Sequence, residues 1–209
     1  MMNIISILII AVIVMSAIIF HEVAHGWVAN QCGDPTAKEQ GRLSLNPLKH
    51  IDPIGTVLIP GVLIYLRFIG VQTFVFGWAK PVPVNFLRLR RPKTDMIWVG
   101  MAGPFVNVVM AISFSLLIHI PMFEKYGDVT ALAVFVNLLL AVFNMIPIPP
   151  LDGSRLVMGL LPAALGRIYG QLERYGILIV VVLLYLGVFE WAVFPVVQFL
   201  GGLLGVNFV

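Results

Sequence analysis

The run His21-Glu22-Val23-Ala24-His25 puts two imidazoles four residues apart with a carboxylate next to the first. On a helix, positions i and i+4 share a face one turn apart, so both rings can grip one Zn²⁺ at about 2.0–2.1 Å per Zn–N bond. Glu22 then sits one step round the helix, beside the metal instead of on it. A carboxylate in that place can take a proton from an attacking water and pass it to a leaving amine. In a chain of this composition the pattern arises by chance about twice in a thousand cases. The competing reading is a polar cap on the end of an apolar helix, but three such groups within a hydrophobic span are expensive and default to function.

Two histidines leave the site open, since catalytic zinc takes three protein ligands plus a water. The candidates for the third are His50, His119, Asp34, Asp52, Asp95, Asp128 and Asp152. Asp152 stands apart by context. The stretch Asn144-Met145-Ile146-Pro147-Ile148-Pro149-Pro150-Leu151-Asp152-Gly153 follows directly on an apolar span. Its prolines must break the helix, and the freed backbone groups need partners at membrane depth, a costly arrangement unless it lines a site. The alternative is a surface loop in which Asp152 caps the next helix. His119 falls at the far end of its span, and His50 and Asp52 read as a solvated loop. Cys32 lies about 10 Å past His25, too far to share the metal, and a lone cysteine is more often a packing residue.

The elements that must hold these groups are membrane segments. Of 209 residues, 60% are hydrophobic and 11% charged, against about 45–50% and about 25% in soluble domains, which rules out a water-soluble globule. The net charge of +3 gives no support to a nucleic-acid partner. Asn3 to about Asn30 carries no charge before Glu22 and is long enough to cross a bilayer. With no Lys or Arg at its start it reads as a retained membrane helix and not a signal peptide. Counted from Ile4, His21 lies about 26 Å along it, inside the membrane toward the cytoplasmic face.

Ile97–Ile120 and Val129–Ile146 form an apolar helical hairpin, and Ile177–Val209 exceeds one crossing, so two short spans meeting near Glu190 are expected. Arg67 divides Ile54–Ala79 into two runs too short to span, which predicts a re-entrant segment walling the site. With the N-terminus outside, this topology puts Lys38, Arg42, Lys49, Lys80, Arg88, Arg90, Arg91, Lys93, Arg155, Arg167 and Arg174 in the cytoplasm and leaves only Arg67 and Lys125 outside. The expected fold is therefore an all-α polytopic membrane protein. It has about four to five transmembrane helices plus a re-entrant or β-hairpin-like segment around 54–79. The whole chain, 1–209, is expected to form one membrane-embedded domain, with a core of about 1–160 and a C-terminal helix pair of about 175–207.

The two motifs together resemble the site-2 protease family of intramembrane zinc metalloproteases, in which an H-E-x-x-H helix and an N-x-x-P…D-G segment build one site. The match extends through Gly41-Arg42-Leu43-Ser44-Leu45-Asn46-Pro47, Gly77-Trp78-Ala79-Lys80-Pro81-Val82-Pro83-Val84-Asn85 and Ala102-Gly103-Pro104-Phe105-Val106-Asn107, as in small prokaryotic members without a PDZ or CBS domain. The resemblance implies one zinc per chain on His21, His25 and Asp152, with Glu22 as general base. It gives Asn144 a contact with substrate or the developing oxyanion. Asn137 is seven residues before Asn144 on the same helix face, and both it and Asn107 fit interhelical glue as well.

The resemblance further implies regulated intramembrane proteolysis of a membrane-protein substrate in the lipid bilayer; the substrate, its signal and the oligomeric state are not encoded in any readable motif. Gly70-Val71-Gln72-Thr73-Phe74-Val75-Phe76-Gly77 could hold an unwound substrate by strand addition or be a packing turn. A metal carrier using the same ligands is the rival reading, and it needs no base at Glu22. A catalytically dead scaffold is a third, opposed by the presence of all four chemical residues.

Overall fold

The computed structural model describes residues 4–73 and 77–208. Helix α1 (Ile4–Gln31) is an unbroken apolar run without proline, and it stops at Gly33, whose φ of 108° suits glycine. After a short α2 (Thr36–Glu39), the chain enters a helical arm made of a π-turn over Pro53–Leu58 and α3 (Ile59–Phe68). Then come α4 (Pro92–Ile118), α5 (Gly127–Asn144), α6 (Gly153–Leu160), α7 (Ala163–Gly170), α8 (Gly176–Tyr185) and α9 (Phe194–Leu203). Among the described residues there is no strand.

Helices α1, α4 and α5 form the central bundle, with α6 against α4 and α9 against α5. Ala111 of α4, Val134 and Leu138 of α5, and Val193, Val197 and Val206 near the C-terminus make its main core. The opposite surfaces stay apolar: Val12 is 68% exposed and Phe105 67%. Faces of that kind belong against lipid, not water.

Three helices, Ile5–Gln31, Pro92–Ile118 and Pro121–Asn144, are long and apolar enough to cross a membrane, or four if the bent pair Ala163–Tyr175 with Leu178–Tyr185 is one span. Counted so, the described residues give four, within the expected range of about four to five. The C-terminal run is divided at Gly187, with φ of 72°, into α8 and a second helical piece, Phe189–Leu203, each short of the roughly 20 residues that a crossing takes.

The 54–79 segment returns to where it starts. Trp78 N–H donates to the Gly55 carbonyl at 3.1 Å, and Thr56 Oγ1 donates to the Trp78 carbonyl at 2.8 Å. A segment whose two ends bond to each other does not carry the chain across the bundle, which fits re-entry. Its described outward arm is helical, so the β-hairpin-like form is not found there. The strand-addition reading of Gly70–Gly77 rests on residues 74–76, which lie outside the described residues.

Candidate metal centre

His21 and His25 are buried on α1, and Asp152 reaches them from the turn between α5 and α6. His21 Nε2 lies 3.0 Å from His25 Nε2, and Asp152 Oδ2 is 3.0 Å from the first and 3.2 Å from the second. Asp152 occupies the position before α6 but makes no capping bond; its carboxylate turns inward instead. The capping alternative is thereby excluded.

The hydrogen bonds behind the rings decide what the three atoms can do. His21 Nδ1 is 2.6 Å from Asn107 Oδ1, while Asn107 Nδ2 donates to the Ala17 carbonyl and to Asn137 Oδ1. Asn137 Nδ2 in turn donates to the Ala133 carbonyl. With the Asn107 amide oriented by those donations, its oxygen faces His21 and Nδ1 must carry the proton. His25 Nδ1 faces the Val99 carbonyl at 2.6 Å, an acceptor only, so it too is N–H. In the neutral rings both Nε2 atoms then present lone pairs toward a carboxylate oxygen. Three acceptors this close repel one another unless a proton or a metal ion stands between them, and their spacing approaches the roughly 3.3 Å of tetrahedral zinc ligands with bonds of about 2.0–2.1 Å. The donor set fits zinc.

Helix α4 is shaped to admit this cluster. Gly100, Gly103 and Asn107 share its inner face, and a Cβ at Gly103 would sit 2.5 Å from His21 Nε2 and closer still to His25 Nε2. At Gly100 a Cβ would meet Arg155 Cβ at 2.7 Å and the Asp152 carbonyl at 3.1 Å. A cavity of about 400 Å³ opens on the cluster, walled by Glu22, Asn144, Arg155 and the stretch from Pro81 to Val84. Glu22 Oε2 accepts from the Val82 N–H at 2.7 Å. Asn144 borders the cavity, with its Nδ2 donating to the Leu140 carbonyl of its own helix at 2.9 Å.

The other sequence candidates lie elsewhere. His119 is exposed at the end of α4 and Asp128 is exposed in the first turn of α5. Asp52 caps the Pro53–Leu58 turn, accepting from Ile54 and Gly55 N–H, and Asp95 accepts from the Arg91 N–H. Asp34 is buried and holds Thr36 and Asn85. Burial, with Asp95 nearby, pushes the Cys32 thiol up, so it remains a thiol. His50 is a correction: it is not in a solvated loop but fully buried, its Nε2 2.7 Å from the Ser44 carbonyl and its own carbonyl accepting from Lys80 N–H. The bond from Lys80 is a long-range contact that no local pattern signals.

Sequence reasoning missed the orienting part of Asn107 and the Val82 amide. The signals available were the buried-type spacing of Gly103 and Asn107 on one helix face and the two prolines flanking Val82.

The family model for Peptidase family M50 matches residues 120–188, a stretch that holds Asn144 and Asp152 but not the two histidines. The chain is 37% identical over 192 residues to "Putative zinc metalloprotease YwhC" of Bacillus subtilis, covering 85% of this chain and 80% of that one. It is 30% identical over 173 residues to "Putative zinc metalloprotease Rip2" of Mycolicibacterium smegmatis, covering 81% and 64% of the respective chains. No solved structure matches it.

Proposed function

This chain belongs to peptidase family M50, and from that premise we propose that it is an intramembrane zinc metalloprotease cutting peptide bonds within or beside transmembrane segments of membrane proteins. One zinc per chain is held by His21, His25 and Asp152. The observation that carries the reading is the convergence of two Nε2 atoms and one carboxylate oxygen within 3.0–3.2 Å, each imidazole having its Nδ1 turned to an acceptor behind it.

Zinc bound there supplies a Lewis acid that polarises the scissile carbonyl and acidifies water. The remaining work falls to the chain's own residues. Glu22 is the base that takes the proton of the attacking water and returns it to the leaving nitrogen. One of its oxygens is held by Val82, and among the described residues Oε1 makes no protein hydrogen bond, which leaves it for that proton. Asn107 and Val99 keep each ligand imidazole in the tautomer that offers Nε2. Asn144, at the cavity wall, is placed to donate to substrate if it gives up its bond to Leu140.

A peptide bond in a membrane helix has its carbonyl already hydrogen-bonded and no water near it. The cavity beside Glu22 is the place where an unwound substrate and water meet. The basic residues in the loops favour an outside N-terminus and a site toward the cytoplasmic face. The test is capture: Glu22→Gln, expressed in its native membrane, is cross-linked and purified, and the membrane protein held by it is offered to wild type in vesicles. Shortening of that partner by wild type is expected. Metal-loaded wild type that leaves every captured partner uncut overturns the reading.

A further inference from the structure

Glu22 is tied to a part of the chain that contributes no ligand. Its Oε2 accepts from the Val82 N–H at 2.7 Å, across sixty positions of sequence. The stretch from Lys80 to Asn85 is neither helix nor strand and is pinned at both ends. At one end Lys80 N–H donates to the His50 carbonyl at 2.9 Å, and Arg42 Nη2 donates to the Lys80 carbonyl at 2.8 Å and the Pro81 carbonyl at 3.2 Å. At the other, Asn85 N–H donates to Asp34 Oδ2 at 2.6 Å. Arg42, His50 and Asp34 are all buried, so the bonds they make to the strap lie away from water, where breaking one is costly.

The two prolines of the strap isolate the donor that meets Glu22. Proline has no N–H, and a residue before proline is confined to extended backbone, so between Pro81 and Pro83 only Val82 can donate, from a conformation already set. Gly26, one turn past Glu22 on the same face of α1, lets the strap approach: a Cβ there would stand 2.7 Å from Val82 Cγ1 and 2.7 Å from Leu43 Cδ2.

We propose that the Lys80–Asn85 strap is the positioning element for the general base, the Val82 amide fixing one oxygen of Glu22 while Arg42 fixes the strap. This rests on the metalloprotease reading above. A glutamate has three side-chain torsions, and a base swinging through them spends little time in reach of the water it must deprotonate. A charge-assisted bond from a backbone amide removes that freedom and leaves the other oxygen for the proton. Val82 and Arg42 touch neither substrate nor reacting atoms; they act through Glu22.

The test compares Val82→Pro, which deletes the N–H, with Val82→Ala, which keeps it, on a membrane-embedded peptide, with zinc content measured in parallel. Val82→Pro lowers kcat about 10–100-fold, the range for a lost hydrogen bond to a charged group, with KM and zinc unchanged. Val82→Ala retains at least about ten times the kcat of Val82→Pro. In a Glu22→Asp background, whose shorter carboxylate does not reach the amide, Val82→Pro adds less than about threefold. Equal losses for Pro and Ala, or losses that multiply in the double variant, overturn the proposal. A second arm needs no activity: hydrogen exchange at the Val82 amide is slow in wild type and fast in Glu22→Ala, and exchange indifferent to Glu22 overturns it as well. Wild type that cuts nothing overturns the metalloprotease reading instead, and the exchange arm still decides the contact.

Discussion

Asn107 Oδ1 lies 2.6 Å from His21 Nδ1 and so determines which nitrogen of that histidine is free. The amide is itself fixed by donations to Ala17 and Asn137, which makes Asn137 the far end of the same relay. Partners behind a ligand typically account for 10–100-fold in metal affinity. Asn107→Ala is expected to weaken zinc binding by about that factor, read by competition with a coloured chelator, although no ligand is removed. Affinity equal to wild type would mean that Asn107 only glues α4 to α1.

With Asp152 proposed as the third ligand, Asp152→Ala should lose most of its zinc on dialysis while Asp52→Ala keeps about one per chain. Asp52 spends its carboxylate on the Ile54 and Gly55 amides, far from this work. Metal analysis of the two purified variants decides the matter, and the reverse pattern would break the assignment.

Gly103→Ala separates shape from folding. Alanine is the better helix former by about 1 kcal/mol, so α4 should not suffer. Its Cβ, however, would intrude on both imidazoles, 2.5 Å from His21 Nε2. The expected result is a protein of normal helicity and thermal stability that binds little zinc. Normal zinc content would require the two rings to move together without cost.

The cluster was legible because each member carries a local signature: i, i+4 spacing for His21 and His25, and helix-breaking prolines next to Asp152. The three long helices were legible from unbroken apolar length. What hid was non-local. Nothing near His50 signals that Lys80 will bond to it, and nothing near Glu22 signals Val82. Asn107 reads as a polar residue in an apolar helix, and its part appears only when α4 lies against α1. The C-terminal run, expected as two short pieces meeting near Glu190, breaks at Gly187, at φ 72°.

The hydrogen bonds joining Trp78 to Gly55 and Thr56 return the re-entrant arm to its own level, so residues 80–93 should share a side with 31–53. With Cys32 replaced, single cysteines at positions 38 and 90 are expected to resist a membrane-impermeant reagent applied to intact cells, and one at position 125 to react. Labelling at 90 without permeabilisation would show that 54–79 crosses fully.

Glu22→Gln isolates the base from the metal. Glutamine keeps the length of the side chain, and its carbonyl oxygen can still accept from Val82, so the strap and the buried histidines need not move. What is lost is the capacity to take a proton from water. Zinc should stay at about one per chain, because His21, His25 and Asp152 are untouched, while cleavage of a membrane-embedded peptide falls by at least about 10²–10⁴-fold. Both quantities are to be measured on the same preparation of wild type and variant. Loss of zinc in step with activity would make Glu22 a fourth ligand, the arrangement expected of a carrier. Retention of both would exclude a carboxylate base at this position and with it the proposed hydrolysis.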